Sequence, residues 1–410
     1  MALAVIAGSW SGSDGSIAGF TFYGLYDFLG TLFLNALKMI IVPLIMASII
    51  TGVANISEDK GLGQLGGKTL GYYAISSLMA ILIGLAVVNL VAPGIGDDGP
   101  LREQLGLDAA TDQALAKVEG RDAGDIASVF IRMVPANIVQ AAADGQMLGL
   151  IFFSMLFGFF MTKTTPAMAE ALSRFWGGVF ETMMKITLFV MKFSPIGVFG
   201  LVAKTVATTG FQAFGPLLTF FFTVVAALAL HVFVFLPLLL GLVGRVSPWR
   251  HFRAMSPALL TAFSTASSAA TLPLTMECLE QNAKVSNRTT SFITPLGATV
   301  NMDGTALYEC VAAMFIAQAY GLDLTFTTQF TIVLIALLTS IGVAGIPSAS
   351  LVAITIILGA IGLPLEGIGL ILVVDRLLDM LRTAVNVFSD SCGAVLIAKT
   401  EGETEVLTSG

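Results

Sequence analysis

The chain has 410 residues, of which 56% are hydrophobic and only 11% charged, with a formal net charge of -7. A soluble domain carries about 25% charged residues. With mean hydropathy at +0.89, a water-soluble fold is excluded, and the acidic balance excludes a nucleic-acid-binding face.

The first eight residues, Met1 to Gly8, are apolar but too few to cross about 30 Å of hydrocarbon. They lack the basic n-region of a signal peptide, so we read them as the remnant of a truncated first spanning helix or a shortened chain. Apolar stretches of spanning character follow at about 30–54, 69–93, 147–162 (with a shorter partner near 128–143), 185–208 and 213–243. Segment 97–125 holds eight acids against three bases, whereas 245–253 holds Arg245, Arg250 and Arg253 with no acid. Cytoplasmic loops favour Lys and Arg, so 245–253 is placed inside and 97–125 outside.

Beyond about residue 254 the apolar stretches contain Gly, Pro, Ser, Thr and charges at membrane depth. Segment 254–282 is interrupted by Ser264 to Pro273, and 326–362 by Gly342 to Ser350. Each precedes a polar-bearing helix, at 287–320 and 363–400. Broken backbone at that depth persists only where protein or a water-filled cavity satisfies it. Paired interruptions in two related halves point to a transporter's binding site.

In 363–400, Asp375, Asp379, Arg382, Asn386 and Asp390 fall within about 80° of one helical face. Thr383 lies at its edge, and Leu377, Leu381, Val385 and Val395 occupy the other side. A charge at bilayer depth costs at least about 2.5–3.5 kcal/mol, so this stripe must face partners, ions or ligand. Three acids against one Arg suit bound cations. The run Asn301-Met302-Asp303-Gly304-Thr305 breaks an otherwise apolar helix. Its amide, carbonyl and carboxylate oxygens are hard ligands suited to a small monovalent cation.

These two motifs, together with Ser267-Ser268-Ala269-Ala270-Thr271-Leu272-Pro273 and Ala344-Gly345-Ile346-Pro347, resemble the dicarboxylate/amino acid:cation symporter family. That family includes the excitatory amino acid transporters and the archaeal aspartate transporters. The resemblance implies an all-α membrane protein of about eight transmembrane helices and two re-entrant helical hairpins, built from inverted repeats and moving as an elevator-type transporter. It also implies a homotrimer in the cell membrane (plasma or inner), multi-pass, and no enzyme. The implied division is 1–68 N-terminal scaffold helices, 69–93 a transport-domain helix, 94–184 scaffold with the acidic extracellular loop, 185–245 scaffold and transport helices, and 246–410 the transport core.

By position, the resemblance implies that Arg382 holds the substrate side-chain carboxylate and Asp379 its ammonium. Ser268, Thr305, Thr383, Asn386 and the backbone at Ile346 complete that pocket. It implies one sodium site at Asp390 with Gly297, Asn301 and Asn386, and a second at Asp303 and Asn301 with Tyr73, Ser76 and Ser77. A third lies at Met302 with Thr299, Ser340, Ile341 and Val343. Met302 favours Na+ over H+ as the main coupling ion. Asp379 favours an amino acid over a dicarboxylate, and Arg382 favours aspartate or glutamate over neutral substrates. Glu309 stands where excitatory transporters have a proton carrier, so H+ co-transport is a further expectation. The match breaks at Ala266 and Met380, where members carry an extra arginine; Arg376, four residues before Met380, can lean toward that region.

Cys278, Cys310 and Cys392 lie far apart in apolar stretches and read as buried hydrophobes. Gly61-Leu62-Gly63-Gln64-Leu65-Gly66 fits a dinucleotide pattern but has no strand before it. His231 reads as a core or interface residue, and His251 as a solvated member of the basic inner loop. Glu181, Lys192 and Lys204 read as span-end residues that snorkel. Alternative functions are a proton-coupled dicarboxylate symporter, an anion channel, and an intramembrane hydrolase at Ser267 or Ser268, which lacks a base. The chain's partners are an acidic amino acid and the lipid bilayer.

Overall fold

The computed structural model describes residues 2–12, 15–17, 20–58, 63–96, 99–101, 131, 133–143, 147–209, 214–322, 324–340, 350–363 and 367–407. The described chain is almost entirely helical: α1 (Ala2–Ser11), α2 (Phe22–Glu58), α3 (Gly63–Val91), α4 (Ile138–Ala143), α5 (Met147–Met161), α6 (Pro166–Lys192), α7 (Ser194–Thr209) and α8 (Phe214–Leu230). A π turn, His231–Phe235, joins α8 to α9 (Leu236–Leu242). The rest are α10 (Pro248–Thr265), α11 (Ser268–Glu277), α12 (Asn287–Val300), α13 (Asp303–Ala319), α14 (Phe326–Ser340), α15 (Ser350–Ile361) and α16 (Ile368–Thr400). The strands are two antiparallel pairs of two residues per strand.

Among the described residues, Leu65–Val91 and Gly215–Leu242 are long and apolar enough to cross a membrane. The expected span at 185–208 is corrected. A 27-residue helix, α6, ends at Lys192, and a separate helix begins at Ser194. Pro195, at the second position of α7, has no N–H to continue the earlier ladder. Hydropathy missed α6 because Glu170, Arg174, Glu181, Lys185 and Lys192 interrupt it. Two i,i+4 ion pairs, Glu170 with Arg174 and Glu181 with Lys185, line its exposed surface. The shorter partner expected near 128–143 is described as α4 at its C-terminal end.

The helices pack in two groups. Helix α2 lies against α5, α6 and α7, with α1 on α7, while α3 lies against α13, α8 and α14. All 17 residues of α13 are buried. A glycine of α3 lets the two helices approach: a Cβ on Gly84 would lie 3.1 Å from Leu307 of α13. Close contact between small residues drives association where lipid is as apolar as the side chains.

Helices α10 and α11 fold back as a hairpin, and Asn282 Nδ2 donates to the Ala254 carbonyl at 3.0 Å. Ala266 turns the tip with φ of 49°, a left-handed value that β-carbon-bearing residues rarely adopt, and the Ser267 side chain caps α11 by accepting from Ala270 N–H. Helices α14 and α15 likewise pack together, and the residues between them, 341–349, lie outside the described set.

Candidate functional site

The polar stripe of α16 is buried throughout. Asp375, Asp379, Arg382, Thr383, Asn386 and Asp390 are each at most 5% exposed, while Leu377 on the other side is exposed. From Val385 to Ala398 every residue is buried. The stripe and the break between α12 and α13 meet and form two connected polar clusters.

The first surrounds Arg382. Its Nη1 donates to Asp375 Oδ1 at 3.0 Å and its Nη2 to Asp379 Oδ1 at 2.8 Å. Tyr308 on α13 lies under the guanidinium, 4.2 Å from ring centre to Cζ, and donates its hydroxyl to Asp375 Oδ1 at 2.9 Å. The planar fork thus bridges two carboxylates over an aromatic face, which an ammonium could not do. Arg376 Nη1 stands 3.7 Å from Asp379 Oδ2, so it does lean toward this region. Thr383 Oγ1 donates to the Asp379 carbonyl at 2.7 Å. Asp379 thus faces Arg382.

The second cluster lies at the helix break. Asn301 and Met302 leave helical geometry, with φ/ψ of -104°/88° and -115°/60°. Asp303 Oδ2 accepts from Ser76 Oγ, from Ser389 Oγ at 2.6 Å and from His231 Nε2 at 3.0 Å. Its Oδ1 accepts from Ser77 Oγ at 2.8 Å. Asn301 Nδ2 donates to Ser389 Oγ at 3.1 Å and to Asp390 Oδ1 at 2.9 Å. Gly297 is needed beside it, since a Cβ there would meet Asp390 Oδ1 at 2.5 Å and Tyr73 Oη at 2.7 Å. Among the described residues neither Asp303 nor Asp390 has a Lys or Arg partner. Hydroxyl, amide and carboxylate oxygens around unpaired carboxylates make a donor set that fits a hard monovalent cation.

Asn386 joins the clusters. Its Oδ1 accepts from Gly304 N–H at 2.8 Å and Thr305 N–H at 3.3 Å, capping α13, while its Nδ2 donates to Thr305 Oγ1 at 3.0 Å. A Cβ on Gly304 would strike the Arg382 carbonyl at 2.6 Å, so α13 can cross α16 only with glycine there.

The other predicted residues fall as follows. Ser268 is buried at the start of α11, and Met302 is 2% exposed. Glu309 is fully buried; Thr339 Oγ1 donates to its Oε2 at 3.1 Å, and its Oε1 has no hydrogen-bond partner among the described residues. Thr299 and Ser340 contribute described backbone only, and Ile341, Val343 and Ile346 lie outside the described residues. The sequence reading missed Tyr308, Ser389 and His231 as members of these clusters. His251 is corrected: it is fully buried, 2.9 Å from Ser391 Oγ and packed on Phe388. Its place on the inward face of α10, rather than in a loop, removes it from solvent. Glu181 pairs within α6, and Lys204 reaches Asp27 at 2.7 Å instead of snorkelling alone. The three cysteines are free and buried, as expected.

Fold and site together define a multi-pass helical membrane protein with a buried, charged, ligand-ready core. The chain belongs to the sodium:dicarboxylate symporter family, whose sequence profile matches residues 1–400. It is 36% identical to the proton/glutamate-aspartate symporter of Escherichia coli (strain K12), over 98% of this chain and 91% of that protein. It is 36% identical to a proton/sodium-glutamate symport protein of Geobacillus stearothermophilus, over 95% of this chain and 92% of that one. It is 35% identical to excitatory amino acid transporter 1 of Ambystoma tigrinum, over 96% of this chain and 81% of that one.

Proposed function

We propose that the protein is a secondary active symporter of aspartate or glutamate, driven by the sodium gradient. The observation that carries this reading is the buried Arg382 guanidinium forked between Asp375 and Asp379. An acidic amino acid brings both groups needed to exchange partners there. Its side-chain carboxylate takes the fork and its ammonium takes Asp379, with Thr305, Thr383, Asn386, Ser268 and the Ile346 backbone around it. A dicarboxylate offers no group for Asp379, and a neutral amino acid leaves the buried guanidinium short of a partner. The names of the relatives, which are glutamate or aspartate symporters, support the same substrate class.

Sodium would be held at three places. One is Asp390 with the backbone of Gly297, Asn301 and Asn386; another is Asp303 and Asn301 with Tyr73, Ser76 and Ser77. Met302 and the carbonyls of Thr299, Ser340, Ile341 and Val343 form the third. Cations entering there neutralise buried carboxylates that have no Lys or Arg partner among the described residues, and this ties ion entry to substrate entry. The division into scaffold and transport parts, the two re-entrant hairpins, elevator motion and the homotrimer belong to the same proposal. The packing of α2 with α5–α7 and of α3 with α13 and α8 supports the division into two parts.

The test is uptake of radiolabelled aspartate and glutamate into proteoliposomes, with and without an inward sodium gradient. Accumulation above equilibrium that requires sodium is the expected result. Succinate uptake driven by a proton gradient, with neither amino acid accumulating, would overturn it.

A proton is proposed as a second coupling ion, carried by Glu309. That carboxyl is fully buried with one oxygen unpartnered among the described residues, and three relatives carry "proton/sodium" in their names. Glu309→Gln is expected to abolish the pH dependence of uptake; an unchanged pH dependence refutes this part alone.

A further inference from the structure

The two oxygens of Asp303 are served unequally. Oδ2 accepts from Ser76, Ser389 and His231, while Oδ1 accepts from Ser77 alone among the described residues. A carboxylate oxygen offers about two lone-pair directions, so Oδ2 is saturated and Oδ1 keeps one free. Oδ1 is also the oxygen on the side of Ser77 Oγ, which stands 3.5 Å from Asn301 Oδ1. The free acceptor capacity of the cluster therefore gathers at Oδ1, Ser77 and Asn301.

His231 completes that asymmetry. It is fully buried and opens the π turn that interrupts the α8–α9 helix. Single π turns inside helices re-aim side chains and recur at functional sites. The imidazole stacks on Phe235 with centroids 5.3 Å apart, and its Nδ1 has no hydrogen-bond partner among the described residues. Among those residues its polar contact runs from Nε2 to Asp303 Oδ2 at 3.0 Å. A carboxylate only accepts, so the hydrogen is on Nε2.

We propose that His231 is a positioning residue for the Asn301–Asp303 cation site, one that occupies Oδ2 and so turns Oδ1 toward the ion. A side chain that orients a ligating carboxylate without touching the ion typically governs affinity by about 10- to 100-fold. The inference rests on reading this cluster as a sodium site.

His231→Phe keeps the ring and its stack on Phe235 but deletes the donor. His231→Gln retains an amide N–H at a reach close to that of Nε2. Two quantities are read on the purified full chain: the sodium concentration giving half-maximal thermal stabilisation, and the half-saturating sodium for aspartate uptake in proteoliposomes. His231→Phe is expected to raise both by at least about tenfold, with the maximal rate at saturating sodium within about threefold of wild type. His231→Gln is expected to recover most of the shift. In an Asp303→Asn background, His231→Phe is expected to add nothing further, because the two act on one site. If His231→Phe does not fold, His231→Asn, whose amide falls short of Asp303, takes its place with the same expected shift. A lower Tm with an unchanged sodium dependence, or no recovery by Gln, overturns the proposal. A wild-type protein that sodium neither stabilises nor drives overturns the sodium reading instead.

Discussion

Gly297→Ala crowds Asp390 and its neighbour Tyr73. The added Cβ would stand 2.5 Å from Asp390 Oδ1 and 2.7 Å from Tyr73 Oη, well inside the 3.4 Å of ordinary contact. Neither neighbour is free to retreat. Asp390 is held by Asn301 at 2.9 Å, and the Tyr73 hydroxyl donates to the Ile293 carbonyl at 2.7 Å. Overpacking a dense site costs about 1–3 kcal/mol. If that strain is relieved by displacing Asp390, it reads as a loss of about 5- to 150-fold in ion affinity, at about 1.4 kcal/mol per tenfold. The assay is the sodium dependence of aspartate uptake, with Tm measured alongside. Gly71→Ala is the control, since nothing lies within 4 Å of its Cβ. Half-saturating sodium should rise at least about fivefold in Gly297→Ala and stay put in Gly71→Ala. Matching sodium curves for the two variants would refute the claim that α12 must approach Asp390 this closely.

Arg382→Lys retains the charge but not the fork that bridges Asp375 and Asp379. The KM for aspartate should rise at least about tenfold, equivalent to about 1.4 kcal/mol, and an unchanged KM would remove this residue from the substrate site. Glu403, beyond the end of α16, accepts from Ser286 N–H at 2.8 Å, Ser286 Oγ at 2.6 Å and Thr289 Oγ1 at 2.6 Å. Partial burial pushes its carboxyl up, but these donors and Arg288 more than offset that, so it lies below its usual value of 4.5. Its contribution is therefore present in full above about pH 4.5 and is lost as pH falls through the depressed value. Glu403→Ala should lower Tm by at most about 2 °C at neutral pH, as suits a partly exposed group, and the difference should vanish in acid. A difference that persists in acid would contradict the assignment.

The stripe on α16 was legible because helical period fixes which residues share a face, and charge at membrane depth fixes that the face is covered. The break at Asn301–Asp303 was legible for a related reason: polar residues and glycine interrupt an apolar run. Periodicity does not report partners. The pairing of His231 with Asp303, 72 residues away, and of Tyr308 with Arg382 needed the packing of α8 and α13 on α16. Ser389 lies beside Asp390 in sequence, yet a serine in a spanning helix more often bonds its own backbone, so nothing marked it. Helix α6 escaped hydropathy because its charges face outward in i,i+4 pairs. The C-terminal turn was equally hidden. Lys68 meets Glu401 at 2.6 Å, and Arg250 Nη1 donates to the Leu407 carbonyl at 3.3 Å, contacts that join the ends of α3, α10 and α16.

In the proposed symporter, the break in α12–α13 would let ion and substrate groups influence each other without touching. Unwinding at Asn301 and Met302 frees the first N–H groups of α13, and Asn386 takes two of them through one oxygen. Asn386 lies one turn from Arg382 on one side and one turn from Asp390 on the other. A rotation of α13 about this contact would move Asp303 together with Thr305, because they share its first turn, and would pull on Asn301 through the unwound link. The Arg382 backbone must follow, because the Cβ position of Gly304 leaves only 2.6 Å to its carbonyl. In the proposed cation sites, neutralisation at Asp303 or Asp390 would therefore act on the geometry of the same turn that faces Arg382. Coupling of this kind needs no long-range relay: it requires a helix that starts at the ion site and is capped by a residue of the substrate stripe.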